Sequence, residues 1–276
     1  AAVIRSKNFY GTDSRTTTHY GQIVEDNRLP RMFEELMRSS AYVERRKAVQ
    51  EFNARHEFSK KGLALTPVKF GISFTTSHLN RAGALVNIYS DGTVLVNHGG
   101  TEMGQGLNTK IAQIAAAELG IGIDRVRVNA TNTSKVPNTS PTAASTGADL
   151  NGMAIKRACE TLKERIAGAV AALFNEQNPQ VTSAADHIRF ENDTIFDTEH
   201  PERRLEFAKA MEQMVLRQVG LSATGYYRTP GIGWDRNKGS GTPFKYYAYG
   251  MAVSEVMIDV LTGATTLLRT DILHDA

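Results

Sequence analysis

The sequence predicts an α+β fold in which β-hairpins and long amphipathic helices recur as repeated units. Three observations carry this reading. Residues 83–97 set two alternating apolar runs on either side of Asp91-Gly92, a type I′ hairpin signal. Leu107 to Leu119 places Leu107, Ile111, Ile114, Ala115 and Leu119 on one face at helical spacing. Residues 244–270 repeat the hairpin grammar around Thr262-Gly263. Hairpins followed by helices point to a mixed fold built of several similar units.

Taken in order, Arg5 to Asn27 is polar with little periodicity and reads as loop. Pro30 fits the first turn of a helix, where its missing N–H is no loss. Phe33, Leu36 and Met37 then recur at helical spacing. Ser39-Ser40 breaks that helix. Ala41 to His56 resumes it, with Val43, Val49 and Phe52 set against a solvated run, Glu44 to Lys47. Gly62 to Thr75 reads as extended segments around Pro67. Asp124 to Asn129 reads as a strand and Leu150 to Phe174 as a second long helix, apolar at Ile155, Ala158, Leu162, Ile166, Val170 and Leu173. Asn175 to Glu202 is polar and irregular. Arg204 to Gln218 reads as a third helix, Leu221 to Arg228 as a strand, and Thr229 to Thr242 as a loop.

A chain of 276 residues is long enough for one large or two ordinary domains. A net charge of +3 with dispersed Lys and Arg argues against nucleic acid as a partner. No apolar run approaches the roughly 18 residues of a membrane span, so no membrane is expected. Cys159 is the only cysteine, which excludes an internal disulfide, a cysteine-based zinc site and an iron–sulfur cluster held by this chain alone. A reducing, cytoplasmic compartment is the expectation, and the sequons at Asn132, Asn138 and Asn192 are then chance matches. The missing initiator Met and the strand-like run ending near Ala276 make a piece of a longer polypeptide the expectation.

The candidate chemistry gathers around Gly99-Gly-Thr-Glu-Met-Gly-Gln-Gly-Leu107, between the strand Thr93 to His98 and the helix from Leu107. Its four glycines permit positive φ and close approach of a ligand to the main chain. The helix N-terminus that follows is expected to offer unpaired N–H groups and partial positive charge to an anionic or acceptor-rich ligand. Neither a dinucleotide fingerprint nor a P-loop is present. Glu102 has the chemistry of a general base, but a carboxylate beside a helix start is expected to satisfy its orphan N–H groups. His98, at the lip, is the histidine to watch, with a structural role expected. Thr131 to Asp149 is a long polar connection with eight hydroxyls, more than the capping of one helix requires. It reads as a donor- and acceptor-rich cradle. His-Glu-x-x-His, Cys-x-x-Cys and Gly-x-Ser-x-Gly are absent, which makes a Ser-His-Asp hydrolase a poor fit. On residues alone, Phe70 and Phe74 read as core aromatics.

Four motifs, in register, carry a likeness. Lys69-Phe-Gly-Ile-Ser-Phe-Thr75, Gly99 to Gly106, Val136-Pro-Asn-Thr-Ser-Pro-Thr-Ala-Ala-Ser145 and Ala223-Thr-Gly-Tyr-Tyr-Arg-Thr-Pro230 resemble the molybdenum-binding part of the xanthine dehydrogenase/oxidase family. The likeness runs over nearly the whole chain and is weakest at residues 175–205. It implies residues 1–60 as a helical connecting segment and residues 61–276 as part of a molybdenum cofactor-binding domain, truncated at both ends. It further implies a molybdenum hydroxylase that oxidises purines with oxygen from water. A molybdenum-molybdopterin cofactor would sit on this chain. Iron–sulfur (2Fe-2S) clusters and FAD elsewhere in an oligomeric complex would pass electrons to NAD.

Carried over by position, Met103, Gly104 and Gln105 would contact the pyranopterin. Thr142, Ala143, Ala144 and Ser145 would hold its polar groups. Gly147 stands where the family often has a serine. Phe74 would stack on the purine, Thr75 would hydrogen-bond it, and Leu79 would line the entrance. The family's basic glutamate lies in a Gly-Glu-Pro-Pro motif, and a second stacking aromatic in Ala-Phe-Arg-Gly-Phe-Gly-Gly; neither occurs here. No catalytic residue and no side-chain metal ligand is therefore assigned within these residues. The competing expectations are an aldehyde or other N-heterocycle hydroxylase of the same family and a non-catalytic binding or scaffold module.

Overall fold

A computed structural model describes residues 1–135 and 139–275. The Val136-Pro-Asn138 start of one motif, with the Asn138 sequon, lies outside the described residues. The chain runs α1 (Ala2–Lys7), α2 (Leu29–Ser39), α3 (Tyr42–Arg55), β1 (Ser59–Ile72), β2 (Arg81–Ile88), β3 (Val94–His98), α4 (Leu107–Leu119), β4 (Val126–Val128) and α5 (Gly147–Gln177). There follow β5 (Ile188–Glu191), β6 (Thr194–Asp197), β7 (Arg204–Glu206), α6 (Phe207–Leu216), β8 (Ser222–Arg228), β9 (Gly233–Asp235), β10 (Ser240–Thr242), β11 (Tyr246–Asp259) and β12 (Thr265–His274). No described helix is long and apolar enough to cross a membrane. The mixed α+β class is what the structure shows. Two compact units form, Ala1–Thr75 with Gly231–Ala276, and Thr76–Pro230.

The first unit is an antiparallel sheet of order β1-β11-β12 with helices on one face. Alternation along the strands sends Leu65, Tyr249, Met251 and Val253 to that face, where they are buried with Met32 and Leu36 of α2 and Tyr42 of α3. Arg45 of α3 pins the helix to the sheet through Glu255 (3.0 Å) and Asp271 (2.7 Å). β1 is a single 14-residue strand, paired with β11 along its length. Pro67 does not interrupt it because β1 lies at an edge, where a missing donor is tolerated. The turn between α2 and α3 falls at Ala41, held at φ 50°, as the Ser39-Ser40 break predicts. Arg5 to Asn27 is mostly loop, although α1 claims its first residues. Thr229 to Thr242 departs from the loop reading by forming the small β9–β10 hairpin.

The second unit is a four-stranded sheet of order β4-β3-β2-β8, with β3–β4 parallel and the other pairs antiparallel. Ala82, Ala84, Val86, Val94 and Val96 from the sheet are fully buried with Ile111, Ala115 and Leu119 of α4 and Ile155, Leu162 and Ile166 of α5. Each large apolar side chain so buried contributes about 1.5–3 kcal/mol, which makes this the stabilising mass of the unit. α4 has the expected bounds because glycines in the left-handed region close both ends, Gly106 at φ 74° and Gly120 at φ 65°.

Three local readings are corrected. The loop at Asp91-Gly92 is not a two-residue type I′ turn. Only Gly92 has positive φ (79°), its N–H bonds Tyr89 O (3.0 Å), and Tyr89 N–H bonds Thr93 O (2.9 Å). This is a type I turn closed by a left-handed glycine, the three-residue hairpin. The irregular reading of residues 175–202 gives way to a β5–β6 hairpin turned at Asn192 (φ 50°) and Asp193 (φ 57°). The third helix starts later than Arg204 because Arg204–Glu206 add to that hairpin as β7.

Gly225 of β8 lies flat against α5. A Cβ there would run into the Ala154 carbonyl and stand 2.7 Å from the Ala158 nitrogen. Gly225→Ala is expected to cost about 3 kcal/mol, since the atoms met are backbone and cannot swing aside. Thermal melting of the full-length protein checks this, and an unchanged midpoint would contradict the packing described.

Candidate cofactor site

The glycine loop leaves β3 at His98 and enters α4 at Leu107. Its glycines serve two purposes. At Gly104 (φ 96°) and Gly106 (φ 74°) nothing lies within 4 Å of a built Cβ, so the backbone conformation is what demands glycine. Gly100 is a matter of space: a Cβ would strike the Leu107 side chain and approach Asn151 Nδ2 at 2.9 Å.

Glu102 folds back over the loop. Its Oε1 accepts from Gly104 N–H and Gly106 N–H (both 3.0 Å) and its Oε2 from Asn108 N–H (2.9 Å). These bonds, that from Asn108 first, hold its carboxyl below the usual range. The expectation that the start of α4 offers free N–H groups to a ligand is thereby corrected: the protein's own carboxylate takes them. The structural role expected of Glu102 is what is found. Gln105 is also engaged, accepting from Met103 N–H (2.6 Å) and donating to Thr101 O (2.9 Å). The Met103 side chain is exposed.

His98 is buried at 1% exposure. Its Nδ1 accepts from Gly100 N–H (3.1 Å) and its Nε2 lies 3.0 Å from Asn108 Oδ1. An accepting Nδ1 leaves the proton on Nε2, the neutral tautomer. Burial lowers its pKa, opposed by Asn108 and Glu102.

The hydroxyl-rich segment reaches the same place from the other side. Thr131 donates to Gly100 O (2.6 Å) and His98 O (3.2 Å). Thr142 Oγ1 accepts from Thr101 N–H (2.8 Å) across 41 residues of sequence. Thr139 accepts from Gly83 N–H (3.2 Å) on β2. Thr146 donates to Ala143 O (3.1 Å), and α5 begins with no side-chain cap. Just before it, Ala144 (φ 54°) and Ser145 (φ 56°) are consecutive left-handed non-glycine residues. Such positions cost of order 1–3 kcal/mol each and persist only where the surroundings enforce them.

The candidate residues thus group unevenly. Met103, Gly104, Gln105, Thr142, Ala143, Ala144, Ser145 and Gly147 all lie on the two joined segments of the second unit. Leu79 is half-buried in a 3-10 turn, Ser77–Leu79, of that unit. Phe74, half-buried, and Thr75, exposed, follow β1 at the end of the first unit's opening segment. A cavity of about 980 Å³ in the first unit, lined by Phe244, Tyr247 and Tyr249 among others, includes none of these candidates.

Residues 35–276 match the family described as the molybdopterin cofactor-binding domain. The chain belongs to that family. It is 43% identical over 275 residues to a xanthine dehydrogenase of Dictyostelium discoideum and 42% identical to a xanthine dehydrogenase/oxidase of Mus musculus. Those alignments take in 99% and 100% of this chain and 18% of each relative's length. In fold it is similar to a quinoline 2-oxidoreductase of Pseudomonas putida (TM-score 0.78, 22% identity, 99% of this chain, 34% of the other). An aldehyde oxidoreductase of Desulfovibrio desulfuricans gives a TM-score of 0.69 at 24% identity, with 99% of this chain and 26% of the other covered.

The residues present fit a molybdopterin. The joined segments set small hydroxyl side chains beside a glycine loop with little side-chain bulk, a surface suited to an acceptor-rich heterocycle with an anionic group. Ser140 Oγ and Asn151 Oδ1 are buried there without a hydrogen-bond partner. At Gly147 a Cβ would meet only ordinary contacts (3.7 Å to Leu107 and Thr142), so the serine common in the family would be accommodated. Among the described residues no group of three or more His, Cys, Asp and Glu is arranged to hold a metal ion.

A carboxylate whose folded pKa is lowered stabilises the loop above its unfolded value and ceases to as pH falls through the folded value. With an ordinary value of 4.5, the Glu102 contribution is complete at neutral pH and lost in acid. Glu102→Gln is expected to reproduce the acid state at pH 7, seen as faster proteolytic cleavage within residues 99–106 of the full-length protein; unchanged cleavage would contradict it.

Proposed function

We propose that this chain is part of a molybdenum hydroxylase that oxidises purines, hypoxanthine and xanthine to urate, with oxygen from water. The observation that carries the reading is identity of 42–43% to xanthine dehydrogenases sustained along 99–100% of the chain. The joined glycine and hydroxyl segments support it, because they are the cradle such a reaction needs. When bound, the molybdenum cofactor supplies two-electron oxidation of an electron-poor ring carbon.

This chain's residues bind and orient. The segment Thr142 to Ser145 and the uncapped start of α5 at Gly147 hold the anionic and acceptor groups of the pterin through N–H and hydroxyl donors. Met103, Gly104 and Gln105 meet it from the glycine loop, where Gln105 gives up its bond to Thr101 O or Met103 N–H to do so. Phe74 stacks on the purine, Thr75 hydrogen-bonds it, and Leu79 lines the way in. No residue here acts as the proton acceptor, which belongs to the remainder of the large subunit. Electrons leave through 2Fe-2S clusters and FAD, on the same chain or a partner subunit, to NAD, in an oligomeric cytoplasmic enzyme. Residues 1–60 serve as a helical connecting segment to the cofactor domain. An aldehyde or other N-heterocycle hydroxylase is the second reading, favoured only by the fold likeness. A scaffold role is the reading of another class.

The test is turnover by the full-length protein. Xanthine-dependent NAD reduction, well above any aldehyde oxidation and accompanied by molybdenum in elemental analysis, is expected. Preference for aldehydes would overturn the substrate, and absence of molybdenum would overturn the class. The 276-residue chain by itself is expected to give no turnover.

A further inference from the structure

His98 is among the most buried polar side chains of the unit. It stands at the end of β3, and its two ring nitrogens are spent on the two ends of the glycine loop. Nδ1 receives the Gly100 N–H at the loop's entrance, and Nε2 reaches Asn108 Oδ1 one residue inside α4. Its carbonyl receives the Thr131 hydroxyl, which also binds Gly100 O. Asn108 in turn gives its own N–H to Glu102. The strand, the loop, the hydroxyl segment and the helix therefore meet at one imidazole.

We propose that His98 is a positioning residue for the molybdopterin loop: a neutral imidazole that fixes the separation of Gly100 and Asn108 and so the curvature of residues 101–107. The inference rests on the reading of this loop as part of the cofactor cradle. The geometry demands one acceptor and one donor at opposite sides of a rigid ring, which neutral histidine provides. Asparagine reproduces the acceptor near Nδ1 and glutamine the donor near Nε2. Phenylalanine keeps the ring's bulk and supplies neither. Burial alone would be met by all three; the clamp is met in part by two and by phenylalanine not at all.

The experiment uses the full-length enzyme carrying His98→Phe, His98→Asn or His98→Gln. Amide hydrogen exchange of peptides within residues 99–108 is measured with the cofactor present and after its removal, together with the rate of molybdenum release. For His98→Phe the expected result is exchange at least tenfold faster across the loop in both states and at least tenfold faster molybdenum release, with distant peptides unchanged. His98→Asn should restore slow exchange at Gly100, and His98→Gln at the start of α4. Exchange and release equal to the parent's in His98→Phe would overturn the proposal. So would equal rates in the asparagine and glutamine variants, which decide the matter if His98→Phe does not fold. A parent enzyme without molybdenum would overturn the cofactor reading instead, and the exchange of the cofactor-free protein would still decide the clamp.

Discussion

Two hydroxyl contacts hold the candidate site together: Thr142 Oγ1 on the Thr101 N–H and the Thr131 hydroxyl on the Gly100 carbonyl. Each joins segments that the sequence sets far apart. A single such bond contributes only about 0.5–1.5 kcal/mol net, far less than the apolar core beneath it. Their importance is geometric. The core of α4, α5 and the four-stranded sheet brings the segments near each other, and the hydroxyls determine which backbone atoms face outward. Within the loop, Glu102, Gln105 and His98 add the bonds that fix its own course.

The electrostatics of the loop follow from one carboxylate. Glu102 occupies the N–H groups at the start of α4, so the helix dipole there serves the fold. The start of α5 differs. Two consecutive left-handed non-glycine residues, Ala144 and Ser145, lead into it. At α4 the N-terminal N–H groups of Gly106 and Asn108 are satisfied internally, and this shapes the loop. Uncharged His98 suits the same arrangement, because only a neutral imidazole leaves Nδ1 bare to accept the Gly100 N–H.

Much of this was legible in residue pattern. The bounds of α4 follow from Gly106 and Gly120, and the helix break before Tyr42 from Ser39-Ser40. Eight hydroxyls in one connection pointed to more than capping, and the structure sends Thr131, Thr139 and Thr142 to the glycine loop and β2. What was not legible was short or non-local. β5 and β6 are four residues each, too brief for alternation to register, although Asn192-Asp193 between Phe190 and Ile195 was a turn signal. Pro67 concealed a continuous strand because edge position is a tertiary property. The role of Glu102 at the helix start was legible from its position, but its added bonds to the Gly104 and Gly106 N–H groups depend on a side-chain rotamer that no spacing encodes. The clamp at His98 needed Asn108 and Thr131 in view together.

The central claim is that the paired segments enclose a molybdenum-bearing pterin. Crystals of the full-length protein, measured on both sides of the molybdenum absorption edge, test it most directly. The account predicts one anomalous peak per subunit, with pterin density in contact with residues 103–105 and 142–147. A peak remote from both segments, or clear density for the cradle with no pterin in crystals that contain the metal, would contradict it.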